Sequence, residues 1–448
     1  MDKLPHSLLL QILSQLDDSA EVARCRVASK SFDTVFPDLR SINLEYSLKW
    51  YNSSRSSVSS DQHIKPFKTV FLELISKLRI VESVGIGPEH PLGVGDDFYL
   101  ADGDFAKEWL PSVSKSLKLL SISGLRYHSR RQSNILPLIS ACCQNLVSLK
   151  LKFACLSMDD LNPMPMLTSL TLAFIRLEDK HLNELNKCFP NLQVLNLVYV
   201  KGLKDPKIHL LNLRICYWNV YFTTPSLTLI APNLITLQIK CIMPVALHVE
   251  APMLSHLHLN LYARIARNHE GTFTVKRFEK LRTLWLDSSY IGSFLSKFPI
   301  TKTVESLTLG IGNKARRVAT ESKLTLGKVF TVFPNVTSLC IKSGAWSELE
   351  ACLTPQGCEI LDGRKGLKTI YAYLKLVDPS LTFSSVACVF DQSVSLSEVS
   401  LLIHTDVDIV VSKGFSSKCV ARWPGLKWRW GMWSDEMEDY WITDGSSN

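Results

Sequence analysis

The segment Phe189–Leu197, which reads Phe-Pro-Asn-Leu-Gln-Val-Leu-Asn-Leu, shows the pattern on which most of the chain is built. Its leucines Leu192, Leu195 and Leu197 stand at offsets 0, 3 and 5. The last two alternate as strand residues do, so both point to one face of a predicted strand. Pro190 ends whatever helix precedes it. One such unit cannot bury its own apolar face, and it therefore needs a copy of itself on each side.

Aliphatic residues at the same three offsets recur along the rest of the chain. The further copies are Val81/Val84/Ile86, Leu117/Leu120/Ile122, Leu146/Leu149/Leu151, Leu167/Leu170/Leu172, Ile208/Leu211/Leu213, Leu234/Leu237/Ile239, Leu254/Leu257/Leu259, Leu281/Leu284/Leu286, Val304/Leu307/Leu309, Val336/Leu339/Ile341, Leu367/Ile370/Ala372 and Leu396/Val399/Leu401. This spacing resembles the leucine-rich repeat family, whose period is about 20–29 residues. The steps between copies are uneven, so the resemblance implies an irregular α/β solenoid with a curved parallel sheet and with helices or turns outside it.

Composition narrows the class of protein. A chain of 448 residues is too long for one compact core, which favours several domains or a solenoid. The net charge of +8 is modest and spread out, so we predict no nucleic-acid partner. No apolar run reaches membrane length, and no membrane partner is predicted. The twelve cysteines include no CxxC pair, which favours reduced structural thiols in an intracellular protein of the cytoplasm, the nucleus or both.

The first residues carry the most specific functional signal. Leu4-Pro5 opens a segment whose apolar residues fall at helical spacing, namely Leu8, Leu9, Ile12, Leu13 and Leu16. Ser19 is a predicted N-cap of a second helix, and a third begins near Ser29. Three short helices in about 40 residues hold few apolar side chains for a core of their own. We therefore expect one apolar side of this segment to meet a partner protein.

These residues resemble an F-box, in Leu4-Pro5, in Ile12–Leu16 and in Cys25–Phe32. The resemblance implies that the segment binds the Skp-type adaptor of a cullin-RING ubiquitin ligase. Two positions differ from the family pattern, because Ala28 replaces the usual Val and Phe32 stands where Trp is commoner. The implied adaptor-binding residues are Leu4, Pro5, Leu8, Leu9, Ile12, Leu13 and Leu16. The alternative is a three-helix cap that only seals the first repeat.

Composition shifts divide the chain into four predicted parts. Residues 1–48 hold the F-box and a first irregular strand, 49–66 form a Ser-rich linker, 67–411 form the repeat solenoid, and 412–448 form a Trp-rich tail. Aromatic residues interleaved with cations occur in proteins that bind single-stranded nucleic acid. An acidic run follows them here and repels phosphate, which favours a C-terminal cap that covers the last repeat.

The sequence contains no recognisable catalytic constellation. Gly310–Ala315 has the wrong glycine spacing for a phosphate loop and lacks its Ser/Thr. We therefore predict a non-catalytic protein without a cofactor or metal. Repeat geometry instead predicts recognition on the open, usually concave, sheet face at offsets 2, 4 and 6. The candidate substrate-binding residues are Lys150, Lys152, Arg214, Lys240, His256, His258, Trp285 and Tyr371.

This predicted face is basic and contains aromatic anchors, a mixture typical of binding hot spots. It is suited to an acidic or phosphorylated segment of a target protein, although a solvated polar face with binding elsewhere is the alternative. The leading interpretation is a substrate-recognition subunit of a Skp-cullin-F-box type E3 ubiquitin ligase, whose target the sequence does not identify. The alternative is a leucine-rich repeat scaffold for protein interaction without a ligase role.

Overall fold

The computed structural model describes residues 4–16, 18–46, 67–88, 100–124, 132–156, 158–221, 224–262, 272–275, 278–288, 291–311, 324–352, 366–435 and 439–442. The predicted linker, 49–66, lies outside the described residues. The chain divides into two units. Unit 1 holds Met1–Thr224 and Thr228–Ala231, and unit 2 holds Pro225–Leu227 and Pro232–Asn448. The four predicted sequence ranges stay a prediction.

Unit 1 begins with three helices and continues as a stack of parallel strands. Its elements in chain order are α1 (His6–Ser14), α2 (Ser19–Ala28), α3 (Lys30–Val35), a 3-10 turn (Phe36–Asp38), β1 (Ser41–Tyr46), α4 (Phe67–Ile75), β2 (Ser83–Pro88), α5 (Gly103–Val113), β3 (Leu119–Ser123), β4 (Gln132–Ser133), α6 (Ile135–Cys142), β5 (Ser148–Lys152), β6 (Cys155–Leu156), β7 (Ser169–Ala173), α7 (Asp179–Asn183), α8 (Leu185–Cys188), β8 (Val194–Val198), β9 (Lys207–His209) and β10 (Ile215–Val220). In the main sheet of this unit the neighbours follow the order β1, β2, β3, β5, β7, β8, β10, and every pair is parallel.

Unit 2 is also a stack of parallel strands, and its last strand is antiparallel. The division between the units falls within β11 (Ser226–Ile230). The following elements are β12 (Thr236–Ile242), β13 (Ala246–Glu250), β14 (His256–Tyr262), β15 (Thr272–Val275), β16 (Thr283–Ser288), α9 (Ile291–Lys297), β17 (Ser306–Gly310), α10 (Leu326–Val332), β18 (Ser338–Ile341), α11 (Ser343–Cys352), β19 (Thr369–Leu374), α12 (Pro379–Phe390), β20 (Glu398–His404), α13 (Ile409–Arg422), β21 (Lys427–Trp433) and β22 (Tyr440–Ile442). Its main sheet runs from β12 through β14 and β16–β21 in parallel, and β22 pairs with β21 in antiparallel orientation.

The repeated leucines form the core, as the spacing predicts. Leu170 of β7 lies in register beside Leu195 of β8, and both are 0% exposed. Leu172 and Leu197 form the next buried pair along the same two strands. Burying one such side chain contributes about 1.5–3 kcal/mol, and each repeat provides the apolar surface that its neighbour needs. The predicted α/β architecture of parallel strands with helices outside is confirmed.

Turn asparagines link successive repeats. Asn191 donates from Nδ2 to the carbonyl of Pro165 at 2.9 Å, and Asn212 donates to the carbonyl of Pro190 at 2.9 Å. Asn145 and Asn335 make the same bond to Lys115 and Lys302 of the preceding repeats. Each of these asparagines directly precedes the first leucine or valine of its repeat, so the side chain satisfies a turn carbonyl that no strand reaches.

One predicted repeat is wrong in register. Ile208 lies in β9, which pairs with β11 in a second sheet, and Leu211 is 47% exposed. The residues that occupy the three core offsets here are Leu213, Cys216 and Trp218, all buried. The repeat was predicted at the wrong position because β9 and β11 alternate apolar and polar residues just as the main-sheet strands do. Short strands rather than helices connect these repeats. In unit 2, β13 and β15 pair in the same manner.

An aromatic ladder, Phe153, Phe174, Tyr199 and Tyr221, lies along one edge of the sheet of unit 1. Successive rings are stacked with centroids 4.7, 4.7 and 4.9 Å apart. The first three residues follow directly after strands and have left-handed backbones, with φ of 57°, 54° and 52°. This conformation costs a non-glycine residue about 1–2 kcal/mol. Ring stacking offsets that cost, and the repeat spacing alone did not predict the ladder.

The tail forms part of the sheet. β21 pairs with β20 in the same parallel register as the repeats, which places Trp428 beside Val399 and Trp430 beside Leu401. The two tryptophan rings stack with centroids 5.2 Å apart. The predicted boundary between residues 411 and 412 falls inside α13.

Cys216 and Cys241 are free thiols buried in strands. Cys388 instead is disulfide-bonded, which differs from the expectation of reduced thiols throughout. No helix in the described ranges has the length and apolarity needed to cross a membrane.

Candidate functional site

Helix α1 divides its apolar residues between two sides. Leu4, Leu8 and Ile12 are 40%, 45% and 42% exposed. Leu8 and Ile12 are four residues apart on α1, so they lie on one side of the helix, and together with Leu4, which lies just before the helix, they form what we call the exposed α1 stripe. Leu9 and Leu13 point the other way and are only 4% and 1% exposed. A continuous apolar stripe on a helix of this kind is a typical protein-binding surface.

The opposite side of α1 holds two of the predicted adaptor-binding residues and faces the chain's own core. Leu9 and Leu13 pack there in a cluster with Val22, Phe32 and Val35. Leu16 is half-buried against the same cluster, and Pro5 is exposed at the N-cap, where its carbonyl accepts from the N–H groups of Leu8 and Leu9. The three helices therefore do form a small core, and its residues position the exposed α1 stripe instead of extending it.

Polar contacts hold α1 in this orientation. His6 Nε2 lies 2.9 Å from Asp38 Oδ2, and Arg79 donates to Asp38 Oδ1 at 2.6 Å, which links the helix to the first repeat. Arg26 pairs with Asp33 at 2.7 Å and lies 3.8 Å over the ring of Phe36.

Val27, at the end of α2, is 91% exposed. Its exposure was not predicted, because its position in the sequence is that of an ordinary helical residue.

In unit 1 the predicted face residues Lys150 and Lys152 lie on β5. Lys150 is exposed beside Ser121 and Thr171 of the adjacent strands, and it lines a cleft of about 390 Å³. That cleft is rich in hydroxyl groups, from Ser14, Ser19, Ser41, Ser83, Ser121 and Ser148. Burial, and next the positive charge of Lys150, lower the pKa of Lys152.

Arg214 does not lie on this face. It is exposed and precedes β10, and its backbone N–H donates to the carbonyl of Gln193. The displaced register around Leu213 explains the difference, since the strand residues that alternate outwards here are Ile215, Tyr217 and Asn219.

In unit 2 four predicted residues lie on adjacent strands, Lys240 on β12, His256 and His258 on β14, and Trp285 on β16. The rings of His258 and Trp285 stack with centroids 4.5 Å apart. Burial, and next the nearby Lys240, lower the pKa of His258 to about 4, so the ring is neutral at physiological pH. Within the described chain, His258 Nε2 and Trp285 Nε1 are buried atoms with no hydrogen-bond partner. A ligand acceptor would satisfy the indole N–H.

Tyr371 on β19 belongs to a second aromatic group on the same sheet. Its ring lies 5.4 Å from that of Tyr373. Lys342 places its ammonium 3.6 Å from the Tyr373 centroid and 5.7 Å from that of Trp285, so one cation connects the two aromatic groups. Lys342 and Tyr373 stand at offset 6 of their repeats, and their proximity to Trp285 is visible only once the strands are in register.

The structure therefore brings His258, Trp285 and Lys240 together, and Tyr371 is connected to them through Tyr373 and Lys342. Lys150 and Lys152 belong to the other unit. Among the described residues, no group of three or more His, Cys, Asp or Glu side chains is arranged to hold a metal ion.

Comparison with known proteins identifies the family. No family model matches the chain. The chain is 37% identical to F-box/LRR-repeat protein At4g29420 of Arabidopsis thaliana, over 99% of this chain and the whole of that protein. It is also 26% identical to F-box protein At1g10780 of Arabidopsis thaliana, over 49% of each chain. With N-terminal helices, a stack of leucine-rich strands and this full-length similarity, the chain belongs to the F-box/LRR-repeat proteins.

Proposed function

We propose that this protein is the substrate-recognition subunit of a Skp-cullin-F-box type E3 ubiquitin ligase. In this role α1 binds the Skp-type adaptor, the repeats bind a target protein, and other subunits carry the chemistry. The observation that supports the proposal is the exposed α1 stripe. Its three large apolar side chains stay partly exposed at and just before a helix whose opposite side is anchored in the chain's own core.

Burial of the exposed α1 stripe alone supplies too little free energy for adaptor binding. Each of its side chains is already more than half covered, so burying the remainder contributes about 1 kcal/mol apiece. The sum, about 3 kcal/mol, is less than the ~4–15 kcal/mol that association costs. The adaptor must therefore contact further groups, and Val27 offers the most exposed apolar side chain of the three helices.

Adaptor binding is tested by co-purification of a Skp-type adaptor with the full chain. Ile12→Arg places a charge in the exposed α1 stripe without entering the buried cluster, and it should abolish capture. Leu13→Arg is unsuitable, because Leu13 is buried and its replacement would unfold the helices. Val377→Arg, at a site 92% exposed in unit 2, is the matched control and should leave capture unchanged. Capture by the Ile12→Arg protein, or none by the native chain, would favour a scaffold without a ligase role.

We further propose that the open sheet faces bind the target through an acidic or phosphorylated segment. Lys150 and Lys152 supply positive charge in unit 1, and Lys240, Trp285 and Lys342 supply charge and an unpaired donor in unit 2.

Target binding is tested with the full chain carrying a proximity label in cells under proteasome inhibition. The Lys150→Glu/Lys152→Glu and Lys240→Glu/Trp285→Ala variants should each lose labelled proteins that the native chain captures, because charge reversal repels an acidic segment. Unchanged labelling by both variants would place recognition elsewhere.

A further inference from the structure

The last described segment of the chain folds back onto the open face of unit 2. β22 pairs with β21, with Trp441 opposite Gly431 and Tyr440 opposite Met432. Tyr373 donates its hydroxyl hydrogen to Asp439 Oδ2 at 2.6 Å. The ring of Trp441 stands edge-on to Tyr371 with centroids 5.6 Å apart, and the Arg429 guanidinium lies 4.4 Å over it.

The surface beneath this segment is apolar, with cations near it. Tyr373, Leu402 and Trp433 form a buried cluster on this otherwise polar side of the sheet, and Trp441 packs against it. Burial, and next the hydrogen bond to Asp439, raise the pKa of Tyr373, so its hydroxyl remains a donor. Lys342 and Asp439 both influence the pKa of the nearby Cys340 thiol, which Lys342 lowers and Asp439 raises. The Asp439 carboxylate thus meets a donor in a positively charged surrounding.

Gly431 makes room for the segment. A Cβ at this position would lie 2.6 Å from Leu402 Cδ2 of β20, 2.7 Å from the Tyr440 carbonyl oxygen and 3.1 Å from the Trp441 ring. All three distances are shorter than ordinary van der Waals contact, and the contact with Tyr440 involves backbone, which cannot rotate away as the Leu402 side chain can. The edge of β21 is therefore shaped for a strand that carries an aromatic side chain at this point.

We propose that Asp439–Trp441 occupies, within its own chain, a recognition groove for extended segments with an acidic residue followed two residues later by a large aromatic. Residues two apart point to one side of a strand, so both side chains reach the face together. A target segment of this pattern adds to β21 as an antiparallel strand once residues 439–442, called the tail from here on, leave the groove. This inference rests on the proposed target-binding role of the face, and it names the class of segment and an autoinhibitory contact.

The tail can compete with weakly binding partners for the groove. Among the described residues three pairs join β22 to β21, which is a small number of contacts for the strand to break on leaving. A tethered segment nevertheless acts at an effective concentration on the order of mM. A free segment of equal affinity at micromolar concentration is therefore excluded until the tail is displaced.

The test uses a fluorescent peptide with the sequence of residues 434–443, Ser-Asp-Glu-Met-Glu-Asp-Tyr-Trp-Ile-Thr, and the full chain. Binding is measured by anisotropy. The native chain should not bind it at micromolar concentration. A chain with Asp439→Ala and Trp441→Ala, whose tail no longer fits the groove, should bind it at least tenfold more tightly. A peptide with Asn for the second Asp and Ala for Trp should bind neither protein.

Adding Tyr373→Phe to the opened chain should weaken peptide binding about tenfold, since one hydrogen bond to a charged group is lost. In the otherwise native chain, Gly431→Ala should raise the protease accessibility of the tail. Gly425→Ala, whose Cβ would meet nothing within 4 Å, should not. This second pair keeps the test decisive if the opened chain folds poorly.

Equal peptide binding by the native and opened chains, or equal binding of the altered peptide, would overturn the inference. Adaptor capture measured on the same preparations separates the two proposals. Loss of adaptor binding with intact peptide binding would count against the ligase role alone.

Discussion

At the scale of single residues, the protein uses burial to tune polar groups on the sheet face. His258 lies under the ring of Trp285 and near Lys240, and burial is the larger of the two influences that lower its pKa to about 4. In the unfolded chain the imidazole titrates near pH 6.5. The unfolded state therefore binds more protons than the folded state between these values, and stability falls as the pH is lowered through that window.

Replacement of His258 by Gln should reduce this acid sensitivity. The expected result is a smaller fall in melting temperature between pH 6.5 and pH 4 than the native chain shows, because the substituted group no longer titrates. Thermal denaturation followed by circular dichroism across that range measures it. His256→Gln is the matched control on the same strand, since that side chain is exposed. Parallel pH profiles for native and His258→Gln proteins would contradict the assignment.

Glu350 makes stability depend on pH in the opposite direction from His258. The carboxyl lies between α11 and α12, where burial raises its pKa and one oxygen, Oε1, has no hydrogen-bond partner among the described residues. The ionised form is therefore disfavoured in the folded state, and stability is lost as the pH rises through the raised pKa. Glu350→Gln should raise the melting temperature at pH 7.5 and leave it nearly unchanged at pH 4. A lower melting temperature at pH 7.5 would show that the carboxylate is stabilising.

At the scale of elements, the aromatic ladder accounts for the left-handed residues at one edge of the unit 1 sheet. Phe174 stacks on Phe153 and on Tyr199. Its backbone N–H donates to the carbonyl of Val198 at 2.7 Å, so the unusual conformation also satisfies the strand end. Aromatic pairs contribute about 0.5–1.5 kcal/mol beyond their buried area.

Phe174→Leu should therefore destabilise the protein by about 1–3 kcal/mol, the value of two lost ring pairs. Phe174→Tyr keeps both stacks and is the control, with a much smaller expected change. Urea denaturation followed by circular dichroism compares the midpoints. Equal midpoints for the two variants would mean that shape rather than stacking holds the ladder.

Helix α13 contains a glycine that nothing in its surroundings requires. A Cβ at Gly414 would meet no atom within 4 Å. Because glycine in a helix interior costs about 0.5–1 kcal/mol relative to alanine, Gly414→Ala should stabilise the protein by about that amount. A rise in melting temperature is the expected measurement, and a fall would show that the position carries an unrecognised contact.

At the scale of the whole molecule, the two proposed interactions use residues of different units. The exposed α1 stripe belongs to unit 1, and the groove over β21 belongs to unit 2. Substitutions without shared partners usually have additive effects. Ile12→Arg should leave binding of the tail peptide to the opened chain unchanged, and the opened chain should capture the adaptor as the native chain does. Coupling above about tenfold in either direction would show that the sites communicate.

The aliphatic spacing alone predicts the strands, most of the core and the family, because a spacing of 0, 3 and 5 fixes which side chains of a short strand share a face. The same spacing also predicts the apolar character of α1. Three-dimensional packing is needed to show that Leu9 and Leu13 face inwards while Leu8 and Ile12 stay exposed, and that Leu213 rather than Ile208 begins its repeat. The return of Asp439 onto Tyr373 was likewise beyond the sequence. The physical reason is that periodicity is local, whereas the choice of the covered face depends on neighbours distant in the chain.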